Sequence, residues 1–180
     1  MVKRQEAIVI EVDEQMKVRA RNFAIKAVDE TFDRFQYNRK ERLEKIAWGK
    51  LGEEVLTKYF SNHGINVEID YSIYIGTSSI DETDFKIGDK KIEIKVGTKD
   101  FHKRLLVVKS YFDNGHQSDY YIAINFYNNA NEALIFGYAT KLQVAESLVA
   151  SWDKTNPIQD YTMLYDELSS IDELLAILKK

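Results

Sequence analysis

Three side chains in one short segment of this 180-residue chain have the types and spacing of a hydrolytic centre: Asp84, Glu93 and Lys95. The segment runs Asp84-Phe-Lys-Ile-Gly-Asp-Lys-Lys-Ile-Glu93-Ile-Lys95-Val96, with Gly88-Asp89 between two alternating runs. That pattern predicts a hairpin with a two-residue loop. Ile87 then faces Lys90, Lys86 faces Lys91, Phe85 faces Ile92 and Asp84 faces Glu93. Strand alternation puts Phe85, Ile87, Ile92, Ile94 and Val96 on a core face, and Asp84, Glu93 and Lys95 on the other. Carboxylates opposed across a hairpin have Cβ atoms about 4.5–5.5 Å apart and repel each other. A divalent cation between them removes the repulsion, because Mg²⁺ is held by one or two carboxylates plus water and substrate phosphate. Lys95 points to the same side, within reach of a water or phosphate beside such an ion. The chemistry this predicts is metal-assisted phosphodiester hydrolysis. The competing reading is a solvated hairpin face, since Glu-x-Lys is a common tripeptide and a one-residue slip would part the acids.

The elements that must position these residues are also partly legible. Residues 6–11 predict a short strand. Residues 14–35 predict a helix with Val18, Ile25, Val28, Phe32 and Phe35 on its inner stripe. A second helix is expected over roughly 40–62, with Leu43, Ile46, Ala47, Leu51, Val55, Tyr59 and Phe60 inward and Gly64 at its stop. Gly49 and Gly52 interrupt it at a cost in helix stability, which calls for a reason. From Asn66 to Ile75 the period becomes two, as in a strand. Strands follow at about 83–87 and 90–97. Residues 99–112 read as a helix, with Leu105–Val108 favouring a strand instead. Residues 119–126 and 132–138 form two more strands around Tyr-Asn-Asn-Ala-Asn, and helices are expected at 140–152 and 164–179. No internal repeat or linker stands out, so one α/β domain is the economical architecture.

Composition narrows the chemistry. The chain has no cysteine, which removes disulfides, cysteine–zinc sites and thiol nucleophiles. Its three histidines, His63, His102 and His116, show no metal-ligand spacing, so any metal is expected to be a hard, oxygen-bound one. No run is long enough to span a bilayer and the start lacks a secretory pattern, so no membrane partner and a cytoplasmic location are expected. The formal net charge of −4 counts modestly against a binder relying on bulk positive charge.

Trp48-Gly-Lys-Leu-Gly52-Glu53-Glu54-Val55, followed by Asp84 and Glu93-Ile94-Lys95, resembles the motif set of the PD-(D/E)XK nuclease superfamily, which includes restriction endonucleases, junction resolvases and repair nucleases. The likeness covers roughly residues 45–126. It implies a restriction-endonuclease-like αβββαβ core, a central mixed sheet flanked by helices, over residues 41–139. Helical extensions are then expected at 1–40 and 140–180. By the same resemblance Asp84 and Glu93 are metal ligands, Lys95 is the catalytic lysine and Glu53 is a supporting acid and ligand. Only the family pattern prefers Glu53 over Glu54, since both sit off the apolar stripe. Thr83 stands where many members have proline. The implied activity is a Mg²⁺-dependent endodeoxyribonuclease, with Mn²⁺ as substitute, DNA as partner and a homodimer plausible. Its rivals are a structure-selective nuclease and a catalytically silent member that binds nucleic acid or protein.

Lys99, Lys103, Arg104 and Lys109 follow the hairpin and are candidate DNA contacts, because phosphates dominate DNA affinity. A solvated helix face explains them equally well. Gln117, His102 and the tyrosines Tyr71, Tyr120, Tyr121 and Tyr138 are more simply loop, surface and packing residues. The C-terminal Tyr-Asp-Glu-Leu-Ser-Ser-Ile-Asp-Glu-Leu-Leu-Ala-Ile-Leu-Lys-Lys is expected to pack on the domain.

Overall fold

The computed structural model describes residues 7–31, 37–73, 84–151 and 158–180. In chain order the elements are β1 (Ile8–Glu11), α1 (Glu14–Ala27), α2 (Arg39–Asn62), β2 (Phe85–Ile87), β3 (Lys90–Gly97), β4 (Arg104–Val108), α3 (Lys109–Asp113), β5 (Tyr120–Asn125) and β6 (Glu132–Thr140). They continue as α4 (Lys141–Ala145), β7 (Leu148–Ser151), β8 (Gln159–Leu164), a 3₁₀ turn (Tyr165–Glu167) and α5 (Ile171–Leu178). The architecture is α/β: a mixed sheet in the order β1-β6-β5-β3-β2, flanking helices, and a second sheet ordered β4-β8-β7. Within the five-stranded sheet β3 and β5 run parallel and the other neighbours antiparallel.

The hairpin forms in the predicted register. Phe85 pairs with Ile92, Lys86 with Lys91 and Ile87 with Lys90. Gly88 takes φ +60°, the left-handed conformation that a two-residue loop asks of its first position. The apolar face is also as expected. Phe85, Ile92 and Ile94 enter the main core, and Ile87 and Val96 pack against its rim.

Helix α2 lies across that face. Asn38 caps it by accepting from the Glu41 N–H at 3.0 Å, and Gly64 at φ +77° ends it. Gly52 has the reason its position called for. A Cβ there would come within 2.6 Å of Val96 Cγ2 and 3.5 Å of Ile94 Cγ2. The missing side chain lets α2 approach β3 closely, one residue before Glu53. Leu51, Val55, Leu56, Tyr59 and Phe60 then fill the space between helix and sheet, whereas Leu43, Ile46 and Ala47 are only half-buried.

Several expectations are corrected. The first helix ends at Ala27, and its buried face is Met16, Ala20, Ala24 and Ala27. Val18 and Ile25 are 55% and 47% exposed. Large side chains were expected inside, but the helix packs on α2 through alanines, which permit a close approach. Residues 66–73 form no strand despite their alternation, because no neighbour pairs with them among the described residues. The remaining expectations for 32–36, 74–83 and 152 lie outside the described residues.

The helix expected over 99–112 is instead a turn, the strand β4 and the five-residue α3. Arg104–Val108 pairs with Asp160–Leu164, so a distant partner settles the ambiguity of Leu105–Val108. The helix expected at 140–152 is the five-residue α4 followed by β7, and 164–179 holds a 3₁₀ turn and the eight-residue α5. The C-terminal extension is therefore part strand. Through Leu105, Val107 and Met163 the second sheet packs on Tyr121, Ala123 and Ala139, the face of the main sheet turned away from α2. α5 joins the main core through Ile171, Leu174 and Leu175, so the C-terminal segment packs on the domain.

No helix among the described residues is long and apolar enough to cross a membrane.

Candidate active site

Asp84 lies at a bend immediately before β2, at the sheet edge. Because β2 has only three residues, the Ile94 N–H has no strand partner there, and Asp84 Oδ2 accepts it at 2.6 Å. This bond turns the Asp84 carboxylate toward β3. On β3, Glu93 and Lys95 leave the sheet on the face opposite Ile94 and are aligned with Tyr121 and Ala123 of β5. Lys95 Nζ donates to Glu93 Oε1, and each of these side chains keeps about a quarter of its surface exposed (26% and 25%). The second sheet shields this face while leaving it open to solvent in part.

The electrostatics show that the three groups interact. Burial, and then the nearby Glu93 charge, push the Asp84 carboxyl up to about 6. The Ile94 N–H, Lys95 and Lys50 pull the other way and lose. Burial pulls the Lys95 ammonium down, yet Glu93, Asp84 and Asp160 together hold it above its ordinary value. Two acids and a lysine thus share a poorly solvated spot in which one acid is electrostatically uncomfortable, the pattern perturbed catalytic groups show.

The adjacent glutamates on α2 have separate fates. Both are buried, at 8% and 5% exposure, although they sit off the apolar stripe. Glu54 is gripped by Arg19 of α1 at 2.7 and 2.6 Å and also accepts from the Tyr71 hydroxyl. Glu53 accepts from Lys50 Nζ at 2.8 Å, and the same ammonium donates to the Asp70 carbonyl at 2.7 Å. Lys50, the partner of Glu53, also lies over the rings of Phe23 on α1 and Tyr71 at 4.3 and 5.4 Å, so both glutamates are held on the side of α2 that meets α1.

Two contributors were missed in the sequence. Lys50 sits three residues before Glu53, a spacing that places both on one side of a helix, so its signal was available. Asp160 on β8 had none. Its carboxylate is 9% exposed, burial pushes it up and Lys95 opposes that shift. Only the pairing of β8 with β4 brings it into range.

The four candidate DNA contacts do not share a helix face. Lys99 stands in the loop after β3 and donates to Asn128 Oδ1 at 2.9 Å. Lys103 is exposed in the same loop, Arg104 begins β4 and reaches Thr162 Oγ1 at 3.4 Å, and Lys109 pairs with Asp113. Gln117 is an ordinary loop residue whose amide donates to the Phe112 carbonyl at 2.9 Å. Of the tyrosines expected to pack in strands, Tyr121 is fully buried and Tyr120 meets Tyr138 edge-on at 5.6 Å, whereas Tyr71 lies in no strand and is 39% exposed, its ring edge-on to Phe23 at 5.9 Å.

Among the described residues no group of three or more Asp, Glu or His side chains gathers into a metal cage. Asp84 and Glu93 nonetheless match the sparse protein donor set Mg²⁺ takes, hard carboxylate oxygens with water or phosphate completing the shell. Asp84 uses only Oδ2 internally and Glu93 only Oε1 among the described residues, so each keeps a second oxygen. No protein-family model, curated protein or solved structure matches the chain.

Proposed function

We propose that this chain is a Mg²⁺-dependent endodeoxyribonuclease of the PD-(D/E)XK type, with a restriction-endonuclease-like core made of α2, β2, β3 and β5. The observation that carries the reading is the clustering of Asp84, Glu93 and Lys95 beside a glycine-mediated helix contact, with Asp84 destabilised as an anion. The core departs from the resemblance where a long helix would separate β3 from β5, since a strand and a short helix stand there.

In this reading Asp84 and Glu93 would hold the ion. When bound, Mg²⁺ supplies Lewis-acid polarisation of the phosphoryl oxygen and a more acidic water. Lys95 moves its ammonium from Glu93 to the attacking water or to the charge growing on the phosphate. Glu53, neutralised by Lys50, buttresses the helix side and takes no ligand position unless Lys50 lets go. A cytoplasmic enzyme acting on DNA, alone or as a homodimer, is consistent with this chemistry.

The experiment is cleavage of plasmid, linear and branched DNA in Mg²⁺ or Mn²⁺, with Asp84→Ala and Lys95→Ala beside the wild type. The wild type is expected to cut and both variants to fail. Absence of cleavage of every substrate by the wild type, with binding retained, would instead leave a silent nucleic-acid-binding member of the fold.

A further inference from the structure

The loop that leaves β3, Thr98–Lys103, is tied down at Thr98, Lys99, His102 and Lys103 and exposes an aromatic ring near its tip. Its centre is a turn in which the His102 N–H donates to the Lys99 carbonyl at 3.1 Å. Fully buried Asn125, from the end of β5, donates its amide to the Lys99 and His102 carbonyls at 3.1 and 2.8 Å. His102 Nδ1 accepts from the Thr98 N–H at 3.1 Å, the Asn128 N–H donates to the Thr98 carbonyl at 2.6 Å, and the Tyr165 N–H donates to that of Lys103 at 3.0 Å. Gly97 makes this possible: a Cβ there would stand 2.8 Å from Asn125 Nδ2 and 2.9 Å from the Tyr165 hydroxyl.

The neighbouring turn that braces the loop is a tight two-residue one: Tyr127 and Asn128 both have positive φ, +47° and +60°, and the Asn129 N–H donates to the Phe126 carbonyl at 2.7 Å. Phe101 stands 72% exposed, touching His102 edge-on at 4.8 Å.

The charge around the ring is net positive. Lys99 and Lys103 flank it in sequence, and Lys45 of α2 is close enough to depress the His102 imidazole, which burial lowers first. Asp100 is the acid facing that ring and acts the other way. Gly97 ends β3 only two residues past Lys95, about 7 Å of extended strand, and β3 and β5 are parallel, so the loop overhangs the carboxyl ends of two parallel strands. Ligands of open α/β sheets bind on that side.

We infer that Thr98–Lys103 is a nucleic-acid contact in which Phe101 stacks on an unpaired base while Lys99 and Lys103 hold the flanking phosphates. An exposed ring between two lysines suits a base already out of its helix, because every base offers a face for stacking. The inference rests on the nuclease reading for the kind of polymer, and it assigns the site a preference for DNA with unpaired or branched positions.

The test is binding by fluorescence anisotropy, in EDTA so that nothing is cut, to a paired duplex, the same duplex with a short unpaired bulge, and a single strand. The full chain is used with Phe101→Ala, Phe101→Trp and Phe101→Leu. The wild type should prefer the bulged and single-stranded probes. Phe101→Ala should weaken those roughly tenfold or more and leave the duplex unchanged. Phe101→Trp should restore the preference and Phe101→Leu should not. Lys99→Ala with Lys103→Ala should weaken all probes and flatten the salt dependence by roughly 0.7 per lysine on the single strand. Wild-type-like binding of unpaired DNA by Phe101→Ala or Phe101→Leu overturns the stacking role, as does a wild type that binds none of the probes. Binding as expected without cleavage in Mg²⁺ would sink the nuclease reading alone; cleavage with Phe101→Ala binding unpaired DNA normally would sink this inference alone.

Discussion

Glu54 and Asp84 are both carboxylates withdrawn from water near α2, yet their partners differ in kind. Glu54 receives two bonds from the Arg19 guanidinium and one from Tyr71, so its charge is matched and its oxygens are occupied. The same carboxylate holds the Arg19 guanidinium well above its ordinary value, against burial, as expected of a satisfied pair. Asp84 has one backbone N–H, a second carboxylate as neighbour and a lysine that is bonded to that neighbour instead. The first cluster joins α1 to α2. The second contributes little that folding alone would favour, and this is where a proposed activity belongs.

The comparison breaks most visibly in activity. Asp84→Asn keeps an oxygen for the Ile94 N–H but removes the charge, and DNA cleavage measured under saturating Mg²⁺ should fall at least about 100-fold, as should that of Lys95→Ala. Glu54→Gln should leave cleavage by the remaining folded fraction within a few fold. Comparable activity losses in the two variants would erase the distinction between the clusters.

Stability should move in the opposite sense. Glu54→Gln is expected to cost about 1–2 kcal/mol in urea unfolding, a figure held down because Arg19 is 46% exposed and can turn to water. Asp84→Asn should be neutral or stabilising at neutral pH, since it relieves the repulsion with Glu93. Gly52→Ala should cost about 1–3 kcal/mol, because the added carbon collides with Val96 and overpacks the helix–strand contact. It should also lower cleavage by displacing α2 from β3.

A smaller effect sharpens the comparison through pH. The folded Asp84 carboxyl, pushed up to about 6, lies above its ordinary 3.8, so the folded state binds the proton more tightly than the unfolded chain. Its contribution to stability is therefore present below about pH 4 and is lost as the pH rises through 6. Asp84→Asn should remove that decline from a stability–pH profile. Mg²⁺ should raise the melting temperature more at pH 7.5 than at pH 5 in the wild type, and not in Asp84→Asn. An equal shift in both would place the ion elsewhere.

Much of the hairpin and of α2 was legible from local chemistry. Gly88-Asp89 specifies the loop, alternation specifies the faces, and Gly64 marks the stop of the helix. Gly52 could be seen as unusual, but its reason, the two methyl groups of β3, is a tertiary fact. The first helix shows how size misleads: its large apolar residues stay outside because four small or slender ones make the closer contact with α2.

By itself, then, the sequence determined the elements whose instructions are carried within a few residues: the stop of α2, the tight loop, the alternation of the hairpin, and the common face of Glu93 and Lys95 on β3. The tertiary structure alone decided whether Leu105–Val108 became strand, because that depends on Asp160–Leu164, more than fifty residues away. It decided which cation each of two adjacent glutamates takes, and it brought Asp160 toward Lys95. A hydrogen-bonded strand partner or a buried counter-charge is supplied from elsewhere in the chain, and local spacing has no means of recording where that supply will fold.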